Sequence, residues 1–452
     1  MPPPRSCRGI WRGWGMFEWT YRRIRDLLET SYAGEWGAPP SPGNARVLRA
    51  TDIDSDGRIN GQGALRQISP AIVQTKHLQR GDIMLEASGG SPEKPVGRVA
   101  FFFDESGELP FLTSNFYKAL RPASDVEPRF LHWALLRFYR QPDILQFQQQ
   151  TTGIINLKFQ DYLDAKIYAP VALNEQKLIA RILDTLDTQI QTTEALIAKL
   201  EKVKEGLLHD LLTRGIDENG QLRPSPEQAP ELYKESPLGL IPREWEVRPL
   251  KSRASSEITY GIVQAGPHIE GGVPYIRTGD MSGDRLEGKG LLCTSRQVAD
   301  QYKRSEVMGG DLVISIRATV GKVLPVPESL SGANLTQGTA KISPSSDTDR
   351  DYLLWAIRSE AVKNAIDLEV KGSTFKEITL AALREIPVSA PANLIEQRKI
   401  GESLVGIDGV IRRESDALMK LKAHKAGLMD DLLAGRVRVT PLLEKAQAIT
   451  PA

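Results

Sequence analysis

Side chains capable of chemistry are plentiful in this 452-residue chain, but they do not stand at the spacings that catalysis needs. Five histidines (His77, His132, His209, His268 and His424) are scattered without ligand spacing. His209 and His424 read as surface residues. A nucleotide phosphate loop requires Gly-x-x-x-x-Gly-Lys-Ser/Thr, and Val320-Gly321-Lys322-Val323 lacks both the first glycine and the hydroxyl residue. No Asn/Asp-Pro-Pro-Tyr/Phe run of an amino-methyltransferase is present, nor a Gly-x-Ser-x-Gly elbow, nor a compact carboxylate set at metal-site spacing. Asp52 and Asp280 recur at matching places, but an acid just after a strand reads first as a turn cap. The chain is expected to be a binding protein without catalytic, cofactor or metal residues of its own.

What must position the binding groups is a duplication. Residues 175–212 return 221 positions later as residues 396–433, with 14 of 38 aligned positions identical and no gap. The identities include Glu175/Glu396, Gln176/Gln397, Asp187/Asp408, Lys204/Lys425 and Gly206/Gly427. A repeat of this period sets architecture before any local motif does. Two similar halves are expected, engaging something that itself has two parts.

The repeated segments carry helical heptads. In the first, Ile179, Leu186, Leu200 and Leu207 form one row and Leu183, Ile190, Ile197 and Leu211 the other. In the second, Ile400, Ile407, Leu421 and Leu428 face Leu404, Ile411, Leu418 and Leu432. Even the interruptions coincide, at Thr193/Glu414 and Lys204/Lys425. Each helix would be about 57 Å long at 1.5 Å per residue. A stripe of that length predicts packing of each helix on its twin, against a blander alternative of core helices in two separate bundles. Asn174 and Asn393 are candidate N-caps, the second with an Asx-x-x-Glu start. Pro170 and Pro391 stand five residues before each Glu-Gln, and Gly215 and Gly435 lie where a left-handed terminating residue belongs.

The segments preceding the helices are related more loosely. Trp19/Trp245, Tyr32/Tyr260, Arg49/Arg277, Gly81-Asp82-Ile83/Gly310-Asp311-Leu312 and Val96-Gly97-Arg98-Val99/Val320-Gly321-Lys322-Val323 match at offsets between 221 and 229. Loops have changed length while the helices have not, as in a common scaffold with two different readers. Each half, of about 150 residues, suffices for one core. Short apolar runs such as 82–85, 98–102 and 311–315 read as strands, with one helix per half near 128–147 and 349–368. Residues 216–243 hold five prolines and read as an extended surface linker.

Residues 1–15 look foreign to the repeat, and Met16 is expected as the native start. They lack a signal-peptide core, and no 18-residue apolar run occurs, so a soluble cytoplasmic protein is expected. Cys7 and Cys293 supply no disulfide framework. The net charge is only +1, with 25% charged residues, which is low for a protein binding nucleic acid unaided. Partners would then supply much of any phosphate contact.

A proline, then Glu-Gln, then a heptad helix ending Lys-x-Gly-Leu-x-x-Asp-Leu-Leu occurs at 170–212 and again at 391–433. Together with Gly239-Leu240-Ile241-Pro242-Arg243-Glu244-Trp245 and Gly372-Ser373-Thr374-Phe375-Lys376, this resembles the specificity (S) subunits of type I restriction–modification systems. The first copy departs at the last motif, reading Thr151-Thr152-Gly153-Ile154-Ile155-Asn156-Leu157-Lys158. The resemblance covers the chain from Met16 to about Val439. It implies an α+β fold: two α/β target-recognition domains separated by an antiparallel coiled coil of two long helices, related as a pseudo-two-fold internal repeat. The segments would be 1–15, a non-native extension; 16–172, target-recognition domain 1; 173–215, central conserved helix; 216–243, Pro-rich linker; 244–392, target-recognition domain 2; 393–436, distal conserved helix; and 437–452, tail.

The resemblance further implies a non-catalytic subunit that reads a bipartite double-stranded DNA site, one half per domain, with the coiled coil setting the spacer. Two methyltransferase (M) subunits carrying S-adenosylmethionine would dock on it to methylate adenine, and restriction (R) subunits would add ATP- and Mg-dependent cleavage. Candidate DNA contacts lie in polar or basic loops: Tyr32, Arg49, Arg98 and Lys158 in the first half, and Tyr260, Arg277, Arg317, Lys322, Lys371, Ser373, Thr374 and Lys376 in the second. Arginine can fork to guanine, while Ser, Thr and Lys mostly hold phosphates. Two other classes fit the pattern: a coiled-coil scaffold with paired ligand-binding domains, and a stand-alone DNA-binding regulator.

Overall fold

The structure is a computed structural model and describes residues 18–91, 93–103, 108–151, 153–372 and 376–449. The expected N-terminal extension, and Ser373 and Thr374, lie outside the described residues. Two units form: one from residues up to Glu194 together with those from Ala417 onward, the other from Ala195–Asp416.

In the first unit, apolar alternation and β-branched residues build a four-stranded antiparallel sheet in the order Leu28–Ala33, Tyr117–Pro122, Ile83–Glu86, Val99–Phe101. Its register sets Met84 opposite both Ala119 and Ala100. A second sheet, Ala64–Arg66, Ala45–Leu48, Phe111–Thr113, contains one parallel pair. Trp19–Arg23 pairs with Lys166–Pro170, which delivers the chain to the long helix. A hairpin of Gln148–Thr151 and Ile154–Leu157, turning at Gly153 (φ +85°), adds Ser88–Gly90 as a third strand. The second unit repeats this plan. Its four-stranded sheet runs Thr259–Tyr260, Thr339–Ile342, Leu312–Ser315, Val323–Pro325, and Trp245–Pro249 pairs with Pro387–Pro391. Where the first unit has the hairpin, the described residues of the second carry isolated bridges of Glu377 with Arg317 and Lys371.

The helix expected near 128–147 is Pro128–Tyr139 followed by a 3-10 segment, Pro142–Phe147, because Pro142 has no N–H to continue the ladder. The one expected near 349–368 is two helices, Arg350–Arg358 and Glu360–Glu369. Ser359 takes an extended conformation between them and caps the second by accepting from the Val362 N–H. The 216–243 segment is more embedded than a surface linker: Ile216, Tyr233 and Ile241 are buried, and Tyr233 pairs with Pro242 in a short hairpin. Residues 440–449 form a further helix.

The long helices span Leu173–Thr213 and Leu394–Leu433. The first begins one residue before Asn174, which therefore does not cap it; Asn393 does cap the second, its Oδ1 accepting from the Ile395 N–H at 2.9 Å. Gly215 and Gly435 end them with φ of +64° and +67°. In each unit the two helix segments run antiparallel. Asp187 and Glu194 pair with Lys425 and Lys422 in the first unit; in the second, Lys204 meets Asp408, and Glu396 accepts from the Ile216 N–H. The apolar rows are buried mainly at the helix ends. Ile179, Leu183 and Leu432 enter the first core beside Trp133 and Phe130, and Leu211, Ile400 and Leu404 enter the second beside Trp355 and Trp245. Leu186, Ile197, Leu200, Ile407, Ile411, Leu418 and Leu421 are only partly buried. Within each unit the two helix segments therefore face each other and also seat a globular half.

Candidate nucleic-acid interface

The duplicated Glu-Gln dipeptides explain how each globular half is held. The Gln176 side chain accepts from the Glu127 N–H at 2.8 Å and donates to the Pro170 carbonyl at 2.9 Å. Gln397 repeats both bonds, with the Asp349 N–H at 2.8 Å and the Pro391 carbonyl at 2.9 Å. The proline that recurs five residues before each Glu-Gln is the one whose carbonyl the glutamine reaches. Buried Glu175 takes the fork of Arg438 at 2.9 and 3.0 Å. Glu396 takes Arg223, the Trp245 indole N–H at 3.2 Å and the Ile216 N–H at 3.1 Å, instead of closing an Asx-x-x-Glu box on Asn393.

The shared break in the heptad is also accounted for. Lys425 reaches Asp187 and lies 4.4 Å from the Trp133 ring centre; Lys204 reaches Asp408 at 2.5 Å and lies 4.9 Å from Trp355. Burial pushes the Lys425 ammonium below its ordinary pKa, partly offset by Asp187. Burial would raise the Asp187 carboxyl, but hydrogen bonds from Lys425 and Arg58 overcome it and bring it to about 2. Arg58, at 2.9 Å from Asp187 and 3.0 Å from Glu194, ties a loop of the first globular half to the same helix.

On this frame the expected contact residues separate into three groups. Tyr32 and Arg98 are structural. Tyr32 donates to the His77 carbonyl and Asp82 beside Arg121. Arg98 is occupied by the Ile53 and Asp54 carbonyls, Glu86 and Tyr117, all within 3.1 Å. Tyr260 is half-buried against the second core. Arg49 and Arg277 form a matched pair. Each guanidinium forks to an aspartate three residues on, Asp52 or Asp280, with Nε at 3.0 Å. Those aspartates accept the arginine's own N–H at 2.8 Å, so they are turn caps, as the sequence indicated. Burial raises both carboxyls and the arginine bonds more than reverse it.

The third group lies in segments beyond the ends of strands and helices. In the second unit Arg317 lies 3.0 Å from Glu377, which bridges through its backbone to both Arg317 and Lys371; Lys371 and Lys376 are exposed. Lys322 joins this side of the domain but donates to the Ser282 carbonyl at 2.8 Å. In the first unit Lys158 ends the Gln148–Leu157 hairpin and donates to the Gln146 carbonyl at 3.3 Å. Gln149 and Gln150, exposed on that hairpin, were not singled out from the sequence, although a Thr-Thr-Gly turn between polar and β-branched runs is a hairpin signal. Of the histidines, His209 and His424 are exposed, while His132 is buried between Phe101 and Trp133 and kept neutral by that burial.

A frame whose glutamine bonds, lysine–aspartate pairs and arginine–aspartate turns recur in both units, carrying segments that differ, is that of a duplicated scaffold. The family described as "Type I restriction modification DNA specificity domain" matches residues 18–202 and again 242–422. The chain belongs to this family, as a type I restriction–modification specificity subunit with two target-recognition domains. Among its relatives is one in Methanocaldococcus jannaschii named as the type I restriction enzyme MjaX specificity subunit, 27% identical across 93% of this chain and 94% of its own. The Escherichia coli type I restriction enzyme EcoBI specificity subunit is 26% identical over 61% of this chain and 63% of its own. In fold, the S subunit from M. genitalium superposes with a TM-score of 0.59, 15% identity, and coverage of 93% of this chain and 98% of that one. Among the described residues no helix is long and apolar enough to cross a membrane.

Proposed function

We propose that each domain reads one half of a bipartite duplex site through its outward hairpin or loops. The first domain would use the Gln148–Leu157 hairpin with Lys158, and the second Arg317, Lys371, Lys376 and the intervening segment. Arg49 and Arg277 would contribute phosphate contacts from equivalent turns. The observation that carries this reading is the contrast between matched framework bonds and unmatched segments. Gln176 and Gln397 make the same two main-chain bonds, yet the segments they support present glutamine amides with one lysine in the first half and Arg317, Lys371 and Lys376 in the second. A two-stranded ribbon fits the major groove, where glutamine can pair with adenine and arginine with guanine.

Catalysis would reside on partners: two methyltransferase subunits using S-adenosylmethionine, and restriction subunits using ATP and Mg. The near-neutral charge of this chain supports that division, because the partners would supply the missing phosphate contacts. The test is to purify the chain with its methyltransferase partner, map the methylated adenines, and measure binding to that site and to a scrambled duplex. Discrimination between the duplexes that disappears when either half is scrambled supports two-domain reading. Equal affinity for all duplexes overturns it.

A further inference from the structure

Among the described residues, Ala318 is the one non-glycine with a positive φ, +63°. It follows Arg317 at the tip of the loop leaving the Leu312–Ser315 strand, and it is exposed. The left-handed region is disfavoured for any residue with a Cβ, and glycine enters it freely. The surrounding backbone holds the conformation. The Ala318 N–H donates to the Lys376 carbonyl at 3.0 Å, the Ile316 N–H to Gly338 at 2.9 Å, and the Ile378 N–H to Ile316 at 3.0 Å. Buried Ser315 closes the loop from inside, bonding the Thr319 carbonyl and accepting from the Lys322 N–H at 3.1 Å.

A strained position with a surface methyl, in a loop where glycine would fit better, points to something that the methyl touches. The core does not need it, since the residue is exposed. We infer that Ala318 is a specificity-determining residue of the second domain, its methyl packing against the 5-methyl group of a thymine in the half-site. An alanine methyl is a recognised partner for that group in the major groove. Arg317, directly preceding and held by Glu377, brings a cation to the neighbouring base or phosphate. This inference rests on the proposed reading of DNA by the second domain, and adds which chemical feature of the base is read.

The experiment uses the complex assembled with its methyltransferase partner and its mapped target. Each thymine of the second half-site, on either strand, is replaced singly by deoxyuridine, which removes only the methyl. The native complex should lose about fourfold in affinity at one thymine, the worth of one buried methyl-sized group. Ala318→Gly should bind the unmodified target about fourfold more weakly, show no further loss at that deoxyuridine, and keep its Tm. Equal sensitivity of native and Ala318→Gly complexes at every thymine, or insensitivity of the native complex at all of them, overturns the inference. The failure of the underlying reading looks different: the native complex would not distinguish the target from a scrambled second half.

Discussion

Lys425 and Asp187, 238 positions apart in sequence, form a buried ion pair between the two long helices, under the face of Trp133. Its counterpart in the other unit, Lys204 with Asp408 under Trp355, uses the equivalent residues with the helices exchanged. Each repeat thus donates one lysine and one aspartate, and only an antiparallel arrangement closes both pairs.

Removing one partner of a buried pair leaves the other charge uncompensated, at about 3 kcal/mol or more, whereas replacing both by apolar groups is close to neutral. Asp187→Ala should therefore lower stability strongly, and Asp187→Leu combined with Lys425→Met should recover part of the loss, the remainder being the bond that Asp187 also makes to Arg58. Thermal melts of the single and double variants check this. Equal destabilisation by both would mean that the pair does not act as a unit.

The pair also sets an acid limit. The Asp187 carboxyl titrates at about 2 in the folded chain against an ordinary 3.8. A depressed carboxyl contributes stability that is fully present above its unfolded pKa and lost as pH falls through the folded one. About 2 kcal/mol should disappear between roughly pH 4 and pH 2. Asp187→Asn should flatten that part of the curve in urea titrations across the window.

The glutamine bonds yield a second stability prediction. Gln176→Ala leaves the Glu127 N–H and the Pro170 carbonyl without their partner, at a cost of about 1–3 kcal/mol. Gln397→Ala should cost about as much in the other unit. Amide exchange should show loosening confined to the globular half whose glutamine was removed.

Among the outward residues, Lys376→Ala should weaken binding by the assembled complex uniformly across sequences and reduce its salt slope by about one. Arg317→Ala should weaken binding too, without loosening partner assembly. Arg98→Gln and Tyr32→Phe should instead lower Tm while leaving target preference intact, because both side chains are committed to the protein's own carbonyls and carboxylates. Fluorescence anisotropy at two or more salt concentrations separates the two outcomes.

The long helices were legible because a heptad repeated over such a length has one physical reading. The break at Lys204 and Lys425 was visible as a flaw, but its cause lay in Trp133 and Trp355, which sit far away in sequence and carry no periodic signal. The contact residues were harder. Arg98 and Arg317 look alike in sequence, both standing next to short apolar runs. What separates them is whether Glu86 and two carbonyls happen to surround the guanidinium, and only the tertiary packing decides that. The Gln149–Gln150 pair carries a weak sequence signal, because its turn depends on Gly153 in a stretch without strong apolar alternation.

The bonds made by Gln176 and Gln397 have one more consequence. They engage one main-chain N–H, which every residue but proline offers, and one main-chain carbonyl, which every residue offers, proline included. A socket of that kind is indifferent to the identity of the residues it grips. Recognition modules of unrelated surface could therefore be exchanged or drift freely, each arriving at the helix with its seat already cut, and new target preferences could arise without renegotiating the joint.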